Sequence, residues 1–330
     1  MGRKKVLQQL KTYHGNLIKH KASVGGHKSS DAGFRMCYKF RERCKYNQSS
    51  IKKMELKKKI FTTAPLPFMG QKRKFLKQFK PALESFSPTA TYVDLFGGSG
   101  LLSHTVKAYY PNSTVVYNDF DNYRERLENI DKTNQLISDL RLILKDYPKD
   151  KRIEGIVRSQ VMERIRTEEN NGYVDYITLS SSILFSMKYA LTFGQMEKET
   201  LYNCVRQSDY DAKGYLEGLE VVSLCYKELF ARYKELPNVV FLVDPPYLST
   251  DAGTYKSYWK LRDYLDVLQV LDGTKYFYFT SNKSSIIELC EWIETKTPMS
   301  NPFTGSTMAT MNATINFNAS YTDIMLYKNE

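Results

Sequence analysis

The chain has 330 residues, of which 42% are hydrophobic, and a mean hydropathy of −0.47, values typical of a globular protein with one large core or two smaller ones. No apolar run is long enough to span a membrane and the N-terminus lacks an apolar signal region, so we expect a cytoplasmic protein without membrane contacts. The five cysteines are odd in number and scattered, which favours reduced thiols over a disulfide framework.

The positive charge is concentrated in the first 60 residues. They contain 17 of the 48 Lys and Arg residues and 3 of the 36 acidic residues, a local charge of +14, whereas the remainder carries −2. This pattern predicts a basic N-terminal arm, flexible or marginally ordered, which could tether nucleic acid. A solvated tail, or an extension ahead of a start at Met54, explains it as well. A set of four residues in the arm lacks the close pairs of small zinc sites, and we predict no metal: His20, His27, Cys37 and Cys44.

From residue 61 onward the hydrophobic pattern alternates between strands and helices. Strands are predicted over 92–96, 114–117, 239–243, 275–280 and 323–327, with a helix over 101–110 and mostly helical periodicity over 123–233. This order predicts an α/β fold, a doubly wound sheet with a helical insertion. The predicted domain bounds are an arm over 1–60, a sheet domain formed by 61–122 and 236–330, and an insertion over 123–235.

A glycine loop, Gly97-Gly98-Ser99-Gly100, follows the first of these strands. On its own such a loop is more often a simple tight turn, and the absence of a following Gly-Lys-Ser/Thr argues against a phosphate loop. Its backbone can approach a ligand closely, the next helix N-terminus favours a carboxylate, and Asp119 ends the second strand, where ribose hydroxyls lie in such folds. These features suit a nucleoside with an amino-acid tail.

The order of four motifs carries a more specific resemblance. The chain contains PFMGQKRKFL at 67–76, YVDLFGGSG at 92–100, Asn118-Asp119, a helical insertion and then Asp244-Pro245-Pro246-Tyr247. Over roughly residues 61–330 it resembles the Dam-like (D12 class, alpha-group) DNA adenine N6-methyltransferases. The resemblance implies a Rossmann-like S-adenosylmethionine-dependent methyltransferase sheet, with S-adenosylmethionine as cofactor.

The resemblance also implies which residues bind that cofactor. Asp94 would suit the methionine ammonium, Phe96 would pack on the cofactor, and Asp119 would receive the ribose. The chain departs from the family at Gln71, where a second glycine is frequent, and at Cys225-Tyr226, where an acidic-aromatic pair is usual. The implied cofactor-binding residues are Gly70, Lys72, Asp94, Phe96, Gly98, Gly100 and Asp119.

The implied catalytic residues are Asp244, Pro245, Pro246 and Tyr247. The exocyclic N6 of adenine is a poor nucleophile because its lone pair is delocalised into the ring. Asp244 and the Pro245 carbonyl can accept its two hydrogens and localise that pair, and Tyr247 offers a face for a flipped base. The prolines fix φ and add no competing N–H donor. Methyl transfer would be direct, without a covalent enzyme intermediate.

Double-stranded DNA is the implied partner, and target recognition would fall to the insertion over 123–235. Four basic residues there are candidate donors to phosphates or guanine edges, although each also fits a solvated surface charge: Lys188, Arg206, Lys213 and Lys227. Three aromatics after Asp244 could wall the flipped base, wedge the duplex or simply pack on a helix: Tyr255, Tyr258 and Trp259. A cognate restriction endonuclease is a further partner that the resemblance allows, and the sequence does not give the oligomeric state.

Other functions share these features. An RNA or protein methyltransferase has the same cofactor fold, although Asp rather than Asn at position 244 favours adenine in DNA. A guanine-N2 rRNA methyltransferase can carry Asp-Pro-Pro-Tyr but usually lacks the N-terminal motif and the large insertion. A DNA-binding protein that retains the fold without turnover is a third alternative, against which the intact Asp244 and glycine loop argue.

Overall fold

A computed structural model of the chain describes residues 59–185, 188–248, 259–316 and 319–330. The predicted basic arm up to residue 58, its four His and Cys residues, and two of the predicted base-walling aromatics, Tyr255 and Tyr258, lie outside these residues. Within them, no helix combines the length and apolarity that crossing a bilayer requires.

The described residues form one seven-stranded sheet. The strands are β1 (Thr91–Asp94), β2 (Thr114–Asn118), β3 (Glu220–Val222), β4 (Val239–Val243), β5 (Lys275–Ser281), β6 (Thr307–Asn316) and β7 (Ala319–Lys328). Their order in the sheet is β3-β2-β1-β4-β5-β7-β6. Strands β1 to β5 are parallel, whereas β7 runs antiparallel to both β5 and β6. The carboxyl ends of the parallel strands therefore meet at one edge of the sheet.

Helices cover both faces of this sheet, as the α/β prediction requires. Side chains of β4 alternate between two cores: Val240 and Leu242 face one, and Phe241 and Val243 face the other. The helices in the described residues are α1 (Leu76–Leu83), α2 (Leu101–Tyr109), α3 (Tyr123–Glu128), α4 (Ile130–Ile143), α5 (Gly155–Asn170), α6 (Tyr176–Ile183), α7 (Phe193–Lys198), α8 (Tyr226–Tyr233), α9 (Leu261–Leu271) and α10 (Ile286–Lys296). Helices α1 and α2 share the first core, and α8, α9 and α10 share the second.

The insertion between β2 and β3 has a core of its own. Helices α4, α5 and α6 supply Ile137, Ile165 and Leu179 to this third cluster. The strand β3 pairs with β2, from Val116 opposite Glu220 to Asn118 opposite Val222, although it falls inside the segment predicted as insertion. The part that leaves the sheet therefore ends before residue 220, and α8 belongs to the sheet domain.

A buried ion pair attaches the insertion to the N-terminal motif. The Arg126 Nε lies 3.0 Å from Asp175 Oδ2, and both side chains are almost fully buried. Arg126 Nη2 also donates to the Pro67 carbonyl at 2.8 Å and to Thr178 Oγ1 at 3.1 Å. Asp175 caps α6, because its Oδ1 accepts the Thr178 N–H at 3.0 Å. One arginine thus ties α3, α6 and the segment around Pro67 together.

We predict that Arg126→Met lowers the free energy of unfolding by about 3–5 kcal/mol, because the buried Asp175 carboxylate loses its counterion. The matched control is Arg124→Met, two residues away on the same helix, whose partner Glu128 is exposed. That change is expected to cost less than about 1 kcal/mol. Urea denaturation of both variants measures the difference, and equal costs would contradict the structural role given to Arg126.

Candidate functional site

A cavity of about 400 Å³ opens at the carboxyl edge of the parallel strands. Its walls come from six segments: the turn around Gly70, the glycine loop after β1, the end of β2, residues 224–227 at the start of α8, the Asp244 turn after β4, and the start of α9 with the residues just before it. Of the predicted residues, the cavity lining includes Gly70, Lys72, Phe96, Gly98, Asp244 and Pro246. The structure therefore brings most of the predicted cofactor and catalytic residues together.

The Asp244 carboxylate is paired with the ammonium of Lys72. Lys72 Nζ donates to Asp244 Oδ2 at 2.5 Å and to the Gly70 carbonyl at 3.0 Å, and little of either charged side chain is exposed. Burial raises the pKa of Asp244, and Lys72 opposes that rise. The Tyr247 ring lies 5.5 Å from the same ammonium. The 67–76 motif thus reaches the catalytic turn directly, in addition to bounding the cavity.

Asp94 at the end of β1 is a second buried carboxylate. Its Oδ2 accepts the Ser103 hydroxyl at 2.6 Å, whereas Oδ1 has no hydrogen-bond partner among the described residues. Burial raises its pKa to about 7; the Ser103 hydrogen bond and the Lys72 charge oppose the rise, and the Asp244 charge adds to it. A buried carboxylate oxygen without a donor is costly, so this position fits a cationic ligand group.

The glycine loop is held by two tyrosine hydroxyls. The Tyr117 hydroxyl donates to the Gly98 carbonyl at 2.7 Å, and the Tyr215 hydroxyl donates to the Ser99 carbonyl at 3.0 Å. A Cβ at Gly97 would lie 2.4 Å from the Tyr117 ring, so only glycine fits there. Gly98 has φ +49°. The loop is thus fixed from outside, which leaves its cavity-facing backbone preformed.

His104 connects the glycine-loop helix to the insertion. Its Nδ1 lies 2.8 Å from the Tyr215 carbonyl, and its Nε2 accepts the Phe61 N–H at 3.0 Å. This pairing requires a proton on Nδ1 and none on Nε2. The imidazole also stacks on the Tyr215 ring at 4.8 Å. Three distant segments of the chain therefore meet behind the loop.

An aromatic wall bounds one side of the cavity. The Phe96 ring lies 5.0 Å from Tyr226 and 5.7 Å from Trp259, and these last two rings are nearly parallel at 5.8 Å. Cys225 also lines the cavity and is exposed, at the position where the family usually has an acid. Trp259 therefore packs beside Phe96 and forms part of this wall.

Asp119 is placed differently from the sequence prediction. Its carboxylate accepts the N–H groups of Tyr123 at 2.6 Å and Arg124 at 3.0 Å, and the Tyr117 hydroxyl lies 3.0 Å from Oδ1. Asp119 is buried and caps the start of α3, whereas the acid that lines the cavity two residues later is Asp121. The sequence prediction did not include Asp121, although Asp119 and Asp121 stand two residues apart in the same turn.

Most of the predicted DNA-reading donors are engaged within the protein. Lys188 pairs with Glu199 at 2.6 Å, and Lys227 pairs with Asp266. Arg206 donates to the Ser208 carbonyl at 2.8 Å. Lys227 lines the cavity near Tyr226, so its position fits a cofactor wall better than a base-reading surface.

One further position supports the site from behind the turn. Gln71, the first departure from the family, uses its Oε1 to accept the Ala64 N–H at 3.1 Å and so fastens the segment before the turn. In the part of the chain that the structure describes, no cluster of three His, Cys, Asp or Glu side chains could hold a metal.

The sheet order, the glycine loop and the Asp244 turn define a Rossmann-like methyltransferase with a helical insertion. The family model for "D12 class N6 adenine-specific DNA methyltransferase" matches residues 68–271, and the chain belongs to that family. A Haemophilus influenzae protein named "Putative methyltransferase" is 38% identical over 296 residues, which cover 87% of this chain and 99% of the relative. The fold class and the family predicted from the sequence are thereby confirmed.

Among solved structures, "Putative methyltransferase yhhF" from Escherichia coli matches with 11% identity and a TM-score of 0.28. The match covers 80% of this chain and 92% of the other. So low a TM-score carries no argument about this chain.

For Asp119 we predict a structural role. Asp119→Ala is expected to lower the free energy of unfolding by about 1–2 kcal/mol, because the first N–H groups of α3 lose their acceptor. Asp119→Asn is the matched control and should recover most of this loss, since an amide oxygen also caps helices. Thermal unfolding of the two variants tests the assignment, and an Ala variant as stable as the parent would remove it.

Proposed function

We propose that the protein is a DNA adenine N6-methyltransferase that uses S-adenosylmethionine. The observation that carries the proposal is that the glycine loop and Asp244 line one cavity, so a cofactor held by the loop can present its methyl group to a base held by Asp244. Membership of the D12 class supports adenine in DNA as the substrate.

The cavity residues fit this cofactor. Asp94 is buried next in the chain to the cavity-lining Leu95, and its orphan Oδ1 would accept the ammonium of the amino-acid tail. Asp121, which lines the cavity, would receive the ribose in place of Asp119. The wall formed by Phe96, Tyr226 and Trp259 would pack against the nucleoside. When bound, the cofactor supplies an electrophilic methyl group on its sulfonium.

At the substrate end, Asp244 and the Pro245 carbonyl would accept the two N6 hydrogens of a flipped adenine. Lys72 occupies Oδ2 of Asp244, which leaves Oδ1 for one N–H. The Tyr247 ring would stack on the base. Both acceptors draw the lone pair of N6 out of the ring, so the nitrogen can attack the methyl carbon.

The proton balance follows from the same residues. A methyl group accepted by N6 would leave that nitrogen with one excess proton, and the sulfur would keep the electron pair of its bond to the methyl carbon. Asp244 would accept the proton, because burial raises the pKa of its carboxyl. The Lys72 ammonium beside Asp244 opposes that rise and so favours the ionised carboxylate before the reaction.

Nucleoside analysis after incubation with labelled S-adenosylmethionine tests the proposal. Duplex DNA, single-stranded DNA and RNA are offered in parallel, and label is expected in N6-methyladenine of duplex DNA. Asp244→Ala should abolish transfer without loss of cofactor binding, whereas Asp244→Asn, which keeps an acceptor oxygen, should retain measurable activity. Label confined to RNA, or full activity in Asp244→Ala, would overturn the proposal.

The raised pKa of Asp94 predicts how cofactor affinity varies with pH. An ammonium contact requires the ionised carboxylate, so affinity should rise about tenfold per pH unit from about pH 5 to about pH 7 and level off above it. The matched ligand is 5′-methylthioadenosine, which lacks the amino-acid tail and should show little of this dependence.

Because other groups also act on the Asp94 carboxyl, the measurement needs a variant that removes its charge. Ser103, Asp244 and Lys72 all act on the Asp94 carboxyl. Asp94→Asn should flatten the pH dependence for S-adenosylhomocysteine. Calorimetry at constant ionic strength measures the affinity for S-adenosylhomocysteine and for 5′-methylthioadenosine. The same pH dependence for these two ligands would show that Asp94 does not bind the amino-acid tail.

A further inference from the structure

Three segments of the chain converge beside the Asp244 turn. The start of α1 lies against the end of β5, because the Phe75 and Phe279 rings are 5.7 Å apart and Lys72 Nζ lies 5.8 Å from the Phe279 ring. Strand β7 pairs with β5 in antiparallel register, with Asp323 opposite Ser281. The residues that follow Lys72, those that follow Ser281 and those that precede Asp323 therefore share one surface.

The hairpin of β6 and β7 extends past this edge. Pairing of β7 with β5 stops at Asp323, whereas pairing with β6 continues through Thr322, opposite Asn312, to Ala319. Asn282 fixes the base of this extension, because its N–H donates to the Thr322 carbonyl and its Oδ1 accepts the Thr322 N–H, each at 2.9 Å. The overhang is thus anchored next to the cavity rather than at the opposite edge.

Four exposed cations lie on two of these segments, Arg73, Lys74 and Lys77 after Lys72 and Lys283 after Ser281. None of them forms an ion pair in the described residues, in contrast with Lys188 and Lys227. Lys283 Nζ lies over the Tyr321 ring at 5.1 Å. The acids near this surface have lysines close by: Lys72 pairs with Asp244, and the charges of Lys72 and Lys74 both act on the partly buried Asp323.

We propose that Arg73, Lys74, Lys77 and Lys283 form a phosphate-binding surface for the DNA strand whose adenine enters the cavity. This inference rests on the proposed function and adds the surface by which the substrate is held. Exposed cations that form no ion pair within the described residues, near an acidic cavity, suit a polyanion. Each phosphate contact releases counterions, and it positions the duplex without reading its sequence. The overhanging hairpin, with Tyr321 on it, would flank the strand.

The location differs from both sequence-based expectations. Neither the arm over 1–60 nor the insertion supplies these four residues. Two of them, Arg73 and Lys74, stand in the motif at 67–76, where the resemblance implies cofactor binding alone. Their side chains point away from the core that Phe75, Leu76 and Phe79 fill, so they take no part in that packing.

The test compares neutralised variants of the full chain. Each of Arg73→Gln, Lys74→Gln, Lys77→Gln and Lys283→Gln is expected to lower the slope of log K against log salt by about 0.9 for a short mixed-sequence duplex, and the quadruple variant by about 3 to 4. At about 0.1 M salt each change should weaken binding about fivefold to tenfold. Under turnover, KM for DNA should rise while kcat at saturating DNA stays near the parent value.

Two matched control variants test whether the position of the charge, and the charge itself, cause the effect. Lys275→Gln removes an exposed lysine from the other end of β5, about 20 Å from Lys283, and should leave the salt slope unchanged. Lys283→Arg keeps the charge and should retain the parent slope. Calorimetry with S-adenosylmethionine and thermal unfolding should show the parent affinity and stability in every variant.

The outcomes separate the surface from the proposed reaction. A parent salt slope in the quadruple variant, or a parent chain that does not bind the duplex, overturns the phosphate surface. If the parent chain binds the duplex with a slope that the quadruple variant loses, but neither methylates adenine, the surface stands and the proposed function fails. A loss of equal size in Lys275→Gln would show a general charge effect and also overturn the surface.

Discussion

Lys72 stands between two buried carboxylates, and the arrangement of the site depends on that single positive charge. Asp94 ends β1 and Asp244 follows β4, and parallel pairing of these neighbouring strands brings both acids to the same edge. Burial raises the pKa of each carboxyl, and Lys72 opposes both rises while it donates directly to Asp244. The interior of the site is therefore short of positive charge. A ligand that brings an ammonium and a sulfonium would correct that shortage, which is the physical argument for S-adenosylmethionine as the proposed cofactor.

The charge pattern changes sign from the interior of the site to its rim. Acids line the cavity floor, and exposed cations stand around its mouth on α1 and after β5. Such an arrangement separates two ligands that have opposite charge, because each is attracted to a different depth. It also explains how a body with a balance close to neutral could bind a polyanion locally. The net charge of residues 61–330 hides this division, since it sums the two layers.

The sequence predicted the parts of the fold that local pattern controls. The five strands with strong apolar runs, the glycine loop and the Asp244 turn were found because each carries its own signal. Strand β3 was missed because three residues between helical stretches show no period of two. Strand β6 was missed because its apolar residues are Met and Ala with a single Ile, interspersed with Thr and Asn, so it lacks a strong run of β-branched apolar residues. The roles of Asp119 and Asp121 could not be separated, since which carboxylate caps α3 depends on the chain path after β2. The ion pairs of Lys188 and Lys227 could not be predicted either, because their partners are distant in the sequence or lie on another helix.

The hydroxyl of Tyr215 joins the glycine loop to the insertion, and this has a consequence for the dynamics of the protein. Tyr215 lies in the segment between α7 and β3, donates to Ser99 and is held in turn by His104, which also fixes Phe61. A ligand that immobilises the loop must therefore restrain the end of the insertion and the first described residues of the chain as well. By thermodynamic reciprocity, whatever orders the insertion also strengthens binding at the loop. Slower amide hydrogen exchange around residues 212–216 upon ligand binding at the glycine loop would be the signature of that coupling.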